Sequence, residues 1–405
     1  MSTAAHQLPP LTSGPSPAVR LLFAALGRMT CGSIQVTLPD GQRHTFRGGT
    51  PGPGGALTIV DWRSLGLLVR CGDIGFADGY VRGYWTTPDL TRLIEVAALN
   101  RDPIEATLSG KDWMRALYRV RHWLRPNTRR GSRRNIHRHY DLGNDFYARW
   151  LDPGMTYSSA VFDGDPRRSL EQAQQAKYER ILARLDPAAS DTVLEIGCGW
   201  GGFAEYAART RGCRVHGITV SRGQLAYARD RIERAGLADR VRLEFRDYRD
   251  LDGEYDHVAS IEMFEAVGER YWPAFFRTLG RSLRRGGRAV VQTITIASHR
   301  FEQYRRTPDF IQQYIFPGGM LPSPAAFGAE VRAAGLAVKG VYAFGMDYAE
   351  TLKRWREAFN AAAGEIGQLG FDARFQRIWN YYLAYCEAGF RTRNTDVMQV
   401  EIARP

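Results

Sequence analysis

The chain has 405 residues, 44% of them hydrophobic and 12% aromatic, enough for a sizeable core in about two or three domains, which excludes a disordered polypeptide. Its formal net charge of +12 is carried mostly by arginine, whose guanidinium forks onto phosphate or carboxylate oxygens, so an anionic partner is expected, either nucleic acid or a phospholipid surface. No apolar run approaches the ~20 residues of a membrane span, Leu21 to Leu26 being far shorter, so any membrane contact is expected to be peripheral.

Met1 to Pro17, rich in Pro, Ser, Thr and Gly, reads as a disordered leader. A small α+β domain is expected over residues 18–110. Gly32 to Phe46 predicts a hairpin, with Ile34, Val36 and Leu38 alternating before the turn Pro39-Asp40-Gly41. Helices follow near Trp62 to Cys71 and Asp89 to Leu99, the second opened by a Thr/Pro/Asp cap, and nothing in this domain reads as catalytic. Residues 111–138 form an arginine-rich linker. Here Arg119, Arg121, Arg125, Arg129, Arg130, Arg133 and Arg134 are interleaved with Trp113, Tyr118, His122 and Trp123. Such a run is either a solvated linker or a phosphate-binding face with indoles at headgroup depth.

Asn135 to Phe162 is polar and aromatic at once and suits a loop-and-turn cover over a cofactor; Ser169 to Leu185 has helical apolar spacing at Tyr178, Ile181, Leu182 and Leu185. Next comes Asp191 to Gly202, DTVLEIGCGWGG, which reads as a buried strand turning sharply into a helix. A phosphate-cradling loop would continue with Lys-Ser/Thr, and Phe203 and Ala204 stand there instead. The dinucleotide spacing G-x-G-x-x-G is matched by Gly197, Gly199 and Gly202, a weak signal alone. The acid Glu195 just before the first glycine favours S-adenosylmethionine (SAM), and a tight turn that binds nothing stays open.

From there strand and helix alternate, which predicts a doubly wound, mostly parallel sheet over residues 139–405. Strands are expected near Val193-Ile196, Arg214-Ile218, Val241-Phe245, His257-Ile261 and Arg288-Ile296, with helices near Gly202-Arg209, Gln224-Ala235 and Tyr271-Leu283, the last stopped by Gly286-Gly287. Ligands of such sheets sit beyond the strands' carboxyl ends, here Gly197 to Gly202, Thr219 to Ser221, Asp247-Tyr248, Glu262 to Glu265 and Gln292 to Thr295. SAM is accordingly placed on Gly197, Gly199 and Gly201, its adenosine toward Thr219, Gln224, Asp247 and Tyr248, with Tyr157 and Ser158 closing over its methionine end. Ser221-x-x-Gln224 is also a helix capping box, and the two roles are compatible. A strand near Val338-Tyr342, a helical insertion at about 347–393 and a closing strand Val397 to Ile402 complete the chain. The insertion's Trp355, Phe359, Phe375, Trp379, Tyr381, Tyr382 and Phe390 are either core or the wall of a hydrocarbon-chain cavity. Cys31, Cys71, Cys198, Cys213 and Cys386 are an odd, widely spaced set with no metal-ligand pairing, so reduced thiols, a cytoplasmic location and no metal are expected.

HYDLGNDFY (His139 to Tyr147), MTYSSAVF (Met155 to Phe162), LEIGCGWGG, VHGITVS (Val215 to Ser221), RDYRDL (Arg246 to Leu251), MFEAVG (Met263 to Gly268), YIFPGGMLPS (Tyr314 to Ser323) and DYAETL (Asp347 to Leu352) follow in unbroken order. Together they resemble the cyclopropane-fatty-acyl-phospholipid synthases and their mycolic-acid methyltransferase relatives, over roughly the last two thirds of the chain. The resemblance implies a class I SAM-dependent methyltransferase, Rossmann-like, whose partners are the acyl chains of membrane phospholipids. It also implies a place on the inner membrane face, reached through the arginine-rich segment, with a homodimer left open. An acyl double bond would take the methyl, a carbocation would follow, and loss of a proton would end the reaction. Glu265 and Tyr348 match positions that act on that cation. Ring-forming members hold a bicarbonate as proton acceptor, and at that pocket this chain has Ser159 in place of cysteine and Gln292 in place of histidine, with Glu265, Tyr348 and the backbone position Ile294 retained. Ala266 stands where many members carry histidine. Bicarbonate binding is therefore altered, and the product is left between a cyclopropane and a methyl-branched or methylene chain. Two other functions compete. A nucleic-acid methyltransferase would carry an Asn/Asp-Pro-Pro-aromatic or Pro-Cys motif, and neither occurs, so nucleic acid is not the expected partner. The other is a lipid- or SAM-binding protein without turnover.

Overall fold

A computed structural model describes residues 17–108, 142–307 and 309–405. The arginine-rich segment, with Arg119, Arg121, Arg125, Arg129, Arg130, Arg133 and Arg134, lies outside the described residues, as does the leader except for Pro17, which begins the helix Pro17–Leu26. The chain divides into two compact units, Met1–Lys111 and Asp112–Pro405.

The first unit carries a sheet of β1 (Cys31–Thr37), β2 (Arg43–Arg47), β3 (Thr50–Ile59) and β4 (Trp85–Thr86) in the order β2-β1-β3-β4. The hairpin pairs Ile34 with Phe46, and Ile34 and Val36 are buried while Gln35 between them is exposed, as period-two patterning requires. Strand β3 went unread because Pro51, Pro53 and its glycines look like punctuation; it runs parallel to β1. Glycine has a packing reason there. A Cβ on Gly55 would lie 3.2 Å from Leu93 Cα, so its absence lets the helix Leu90–Leu99 rest directly on the sheet. That helix starts where the sequence places it, with Asp89 accepting from Arg92 N–H at 3.0 Å. The preceding helix, Arg63–Val81, runs longer than its pattern because Gly72, at φ 60°, kinks it without ending it.

The second unit is built on β5 (Thr192–Ile196), β6 (Arg214–Thr219), β7 (Val241–Phe245), β8 (Tyr255–Ile261), β9 (Leu283–Ile296), β10 (Ala337–Ala343) and β11 (Thr395–Ala403), ordered β10-β11-β9-β8-β5-β6-β7. Strands β5 to β9 are parallel and β11 runs antiparallel between β9 and β10. The sheet is thus mostly parallel and doubly wound. Successive residues of β5 enter different cores: Leu194 and Ile196 join Phe264, Trp272, Phe275 and Phe276, while Val193 joins Ile181, Leu182, Phe203 and Leu225. The helix Trp272–Ser282 is not stopped by Gly286-Gly287. It ends when Leu283 turns extended, and the glycines lie inside β9, where a Cβ on Gly287 would meet Asp256 O at 2.7 Å.

Between β10 and β11 the chain forms helices Gly345–Ala361, Ala363–Gln368 and Ala373–Arg391. The first and third are pinned by Glu387, 2% exposed, which accepts from Arg356 Nη2 at 3.1 Å and from Arg391 Nε at 2.9 Å. Glu387→Ala leaves both guanidinia short of a carboxylate and is expected to cost about 3 kcal/mol. Thermal unfolding should show a clearly lower midpoint, and an unchanged midpoint would remove Glu387 as the clamp.

Candidate active site

Strand β5 stops at Ile196 and turns through Gly197 (φ 91°), Gly199 (φ 51°) and Gly201 (φ 82°) into the helix Gly202–Arg211. All three lie in the left-handed region that an L side chain disfavours. A Cβ on Gly197 would strike Met263 Cγ at 2.8 Å, whereas one on Gly199 would meet nothing within 4 Å, so the turn faces open space beyond the sheet edge. Just before it Glu195, 3% exposed, has an Oε2 with no hydrogen-bond partner, and burial pushes its carboxyl up to about 8. An open glycine turn beside an orphaned buried acceptor fits a ligand carrying an ammonium and close-packed polar groups, as SAM does.

The predicted adenosine contacts end neighbouring strands. Thr219 closes β6 and its Oγ1 accepts from Ser221 N–H at 3.2 Å, while Ser221 caps Gln224 N–H at 3.3 Å. The capping role of Ser221 is therefore built. Asp247 follows β7 with both carboxylate oxygens on Arg249, at 2.8 and 2.7 Å, a partner the sequence reading lacked. Tyr248 turns its ring into the core, 5.6 Å from Phe275.

Three of the four predicted catalytic residues, Ser159, Gln292 and Tyr348, come together, but around a different acid, and the fourth, Glu265, does not join them. Glu262, the first residue after β8, is the group they serve: its Oε1 accepts from Ser159 N–H at 2.8 Å and from Gln292 Nε2 at 2.7 Å, and its Oε2 accepts from Tyr348 OH at 2.6 Å. Ser159 contributes its backbone, since its hydroxyl donates to Ala160 O at 3.1 Å. Gln292, wholly buried in β9, accepts through Oε1 from Gln399 Nε2 at 3.0 Å, its register partner on β11, which leaves the amide NH2 to face Glu262. Glu265 stands aside on Ile294 N–H and on Thr293 Oγ1 at 3.1 Å, with Oε2 unpartnered. Glu262 and Glu265 lie deep yet keep some accessible surface, as groups lining an internal space do. Burial raises both carboxyls. The Glu262 charge raises Glu265 further, whereas Tyr348, Lys177, Ser159 and Gln292 hold Glu262 back. Within the pair the three donors on Glu262 and the unpartnered oxygen of Glu265 favour the charge on Glu262 over Glu265. The bicarbonate implied by the family resemblance does not fit here, because Ser159 N–H, Gln292 and Tyr348 already donate to a side chain.

Beside this cluster Lys177, fully buried on the helix Leu170–Leu185, donates to Ser158 Oγ at 2.5 Å and Gln174 Oε1 at 2.7 Å. Burial drives its ammonium down to about 8, against the pull of Glu262, Asp152 and Glu195. Lys177 is not singled out by the sequence, and Glu262 is named there only as the first of the strand-end stretch Glu262 to Glu265, with no catalytic role. The available signals were a lysine four residues before Ile181, on a buried helix face, and a second acid three residues before Glu265. Ser158 faces this lysine. Tyr157 enters an aromatic wall, 5.3 Å from Trp355 and 5.5 Å from Trp150, with its hydroxyl 2.7 Å from Tyr382 OH. Tyr348 packs 4.5 Å from Phe390 in the same wall.

A glycine-turned parallel sheet, with acids and aromatics gathered at its carboxyl edge, defines a class I SAM-dependent methyltransferase. The chain belongs to the mycolic acid cyclopropane synthetase family, whose model matches residues 127–400, and SAM is the family's cofactor. It is 41% identical to a tuberculostearic acid methyltransferase of Mycobacterium tuberculosis, over 83% of this chain and 80% of the relative. It is 34% identical to the cyclopropane-fatty-acyl-phospholipid synthase of Escherichia coli K12, over 83% and 85%. Among solved structures, a mycolic acid cyclopropane synthase in complex with SAH and CTAB matches with a TM-score of 0.63 at 31% identity, over 67% of this chain and 97% of that one.

The buried acid before the glycine turn leads to a pH dependence. Glu195 is raised from 4.5 to about 8 on folding, so its contribution to stability is complete below pH 4.5 and is lost as pH rises through about 8. Between about pH 5.5 and about pH 8.5 the thermal midpoint of Glu195→Gln should therefore fall less than that of the parent chain. Equal falls would show that the carboxyl is already ionised in the folded chain.

Proposed function

We propose that the chain transfers a methyl group to the double bond of unsaturated acyl chains in membrane phospholipids and releases a methylene-bearing chain, which becomes methyl-branched only after a separate reductase adds hydride, and not a ring. The observation that carries this reading is the acid pair Glu262 and Glu265 set within the aromatic wall beside the glycine turn. Deep carboxyls repel a polyanionic nucleic acid, whereas aromatic faces pack on hydrocarbon and attract a carbocation. SAM, when bound on Gly197, Gly199 and Gly201, supplies the electrophilic methyl. The chain's residues then have to exclude water and hold negative charge where positive charge develops on the lipid. Support for an unclosed product comes from Ser159 and Gln292, and from the relative named as a tuberculostearic acid methyltransferase. An acceptor already engaged by hydrogen bonds takes a proton more slowly, which leaves time for a 1,2-hydride shift toward the more substituted cation.

Lipid-dependent release of SAH, with added carbon located by mass spectrometry and proton NMR of the fatty acids, tests the reading. Olefinic methylene signals are expected, with branched-methyl signals only where a reductase is present, and upfield ring-methylene signals would overturn the product assignment. Gly199→Val puts a β-branched side chain at φ 51° in the open turn and should abolish SAM binding by calorimetry; unchanged affinity would remove that placement. Tyr348→Phe, which removes the phenol bonded to Glu262, should lower turnover by about 10-fold or more with SAM affinity kept, because it acts on charge that exists only after transfer begins.

We further propose that the arginine-rich segment docks the protein on anionic bilayer, each cation contributing on the order of 1 kcal/mol. Among the described residues no helix is long and apolar enough to cross a membrane. Reversing Arg129, Arg130, Arg133 and Arg134 to Glu should release the protein from anionic vesicles. Co-sedimentation indifferent both to that change and to salt would leave the segment a linker.

A further inference from the structure

Glu262 holds a backbone conformation, φ 50°, that a non-glycine residue seldom adopts. Its N–H donates to Gln292 O at 2.9 Å, and the strained turn aims the side chain back into the unit. There the carboxylate collects Ser159 N–H, Gln292 Nε2 and Tyr348 OH, with the Lys177 charge nearby. A backbone N–H, an amide and a phenol converging on one point make a site for a small oxyanion, and the chain fills that site with its own carboxylate.

The two oxygens are not equivalent. A carboxylate oxygen offers two lone-pair positions. Oε1 has both taken, by Ser159 and Gln292, whereas Oε2 has one taken, by Tyr348, and the other without a donor among the described residues. Resting on the proposed methyl transfer, we propose that Glu262 Oε2 is the proton acceptor of the reaction, doing within the chain what a bound carbonate-type anion would otherwise do, so that turnover needs no added bicarbonate.

The step balances without an oxidant or reductant. When the alkene's π pair forms the bond to the methyl carbon, the carbon–sulfur pair stays with sulfur and the neighbouring chain carbon becomes positive. A C–H bond of the transferred methyl then breaks and its proton goes to Glu262 Oε2. After a 1,2-hydride shift has moved the cation to the methyl-bearing carbon, the C–H electron pair forms a C=CH2 branch on the chain. Without that shift the same pair would close a ring, so the assignment of Glu262 stands apart from the assignment of product. Tyr348, bonded to the accepting oxygen, keeps it oriented.

The positive φ supplies the test, since glycine accepts it without strain and Glu262→Gly should fold. The parent chain should release SAH on acyl lipid at the same rate, within about twofold, in carbonate-depleted buffer and with bicarbonate added. Glu262→Gly should lose about 100-fold or more in depleted buffer, a usual scale for losing a general base, and regain at least about 10-fold when bicarbonate enters the emptied site. Glu262→Gln, nearly isosteric, should lose turnover while keeping SAM affinity by calorimetry. A readout independent of turnover is binding of 13C-bicarbonate by NMR, expected for Glu262→Gly and absent in the parent chain. A parent chain that binds bicarbonate or depends on it, or a Glu262→Gly variant active in depleted buffer, overturns the proposal. If the parent chain releases no SAH on acyl lipid, it is the methyl-transfer reading that fails, and the bicarbonate-binding comparison still decides whether Glu262 fills the anion site.

Discussion

The site depends on one electrostatic constraint, the burial of several carboxyls around a single lysine. Removing a charge from water costs several kcal/mol unless hydrogen bonds and an opposite charge replace the hydration. Glu195, Glu262 and Asp152 all draw on the Lys177 ammonium, itself buried and driven down by that burial. The number of donors decides where the negative charge remains. Glu262 has a backbone N–H, an amide and a phenol and can stay ionised, whereas Glu265 and Glu195 each leave an oxygen without a partner and are pushed toward the neutral form. A preorganised negative centre of this kind needs no solvent rearrangement when positive charge develops beside it.

The sheet positions these groups without long-range adjustment. Parallel strands deliver their carboxyl ends to one edge, so Gly197, Thr219, Asp247 and Glu262 arrive together although they are far apart in the chain. The antiparallel strand β11 adds an element that a purely parallel sheet would lack. It sets Gln399 opposite Gln292 and thereby fixes which end of the Gln292 amide faces Glu262. The helical insertion supplies Tyr348 and the aromatics that keep the cluster from bulk water, and Asp347 at its start accepts from Phe162 N–H at 2.9 Å, tying the segment that carries Ser159 to the same helix.

Much of this architecture was legible in the residues. Strands β5 to β8, β10 and β11 and most of the helices were read within a few positions, because apolar periodicity and glycine breaks are local signals. The misreadings share a cause. Strand β3 was hidden by prolines and glycines, of which Gly55 packs closely under Leu93, and Gly286-Gly287 looked like a helix stop although they sit within β9, with Gly287 against Asp256. In both cases glycine was needed for a neighbour distant in sequence.

The sequence by itself determined the fold class, the glycine turn, the family and the list of polar residues at the strand ends, since each depends on residue type and on spacing within one segment. Only the tertiary structure decided how those residues pair. Ser159, Gln292 and Tyr348 come from a loop, a strand and a helix, and spacing along the chain could not show that all three face Glu262 while Glu265 turns to Thr293 and Ile294. Nor could it show that Lys177, on a helix read only for its apolar stripe, is a buried countercharge. Hydrogen bonding and desolvation depend on distances in space, and those exist only once the sheet has brought the strand ends together.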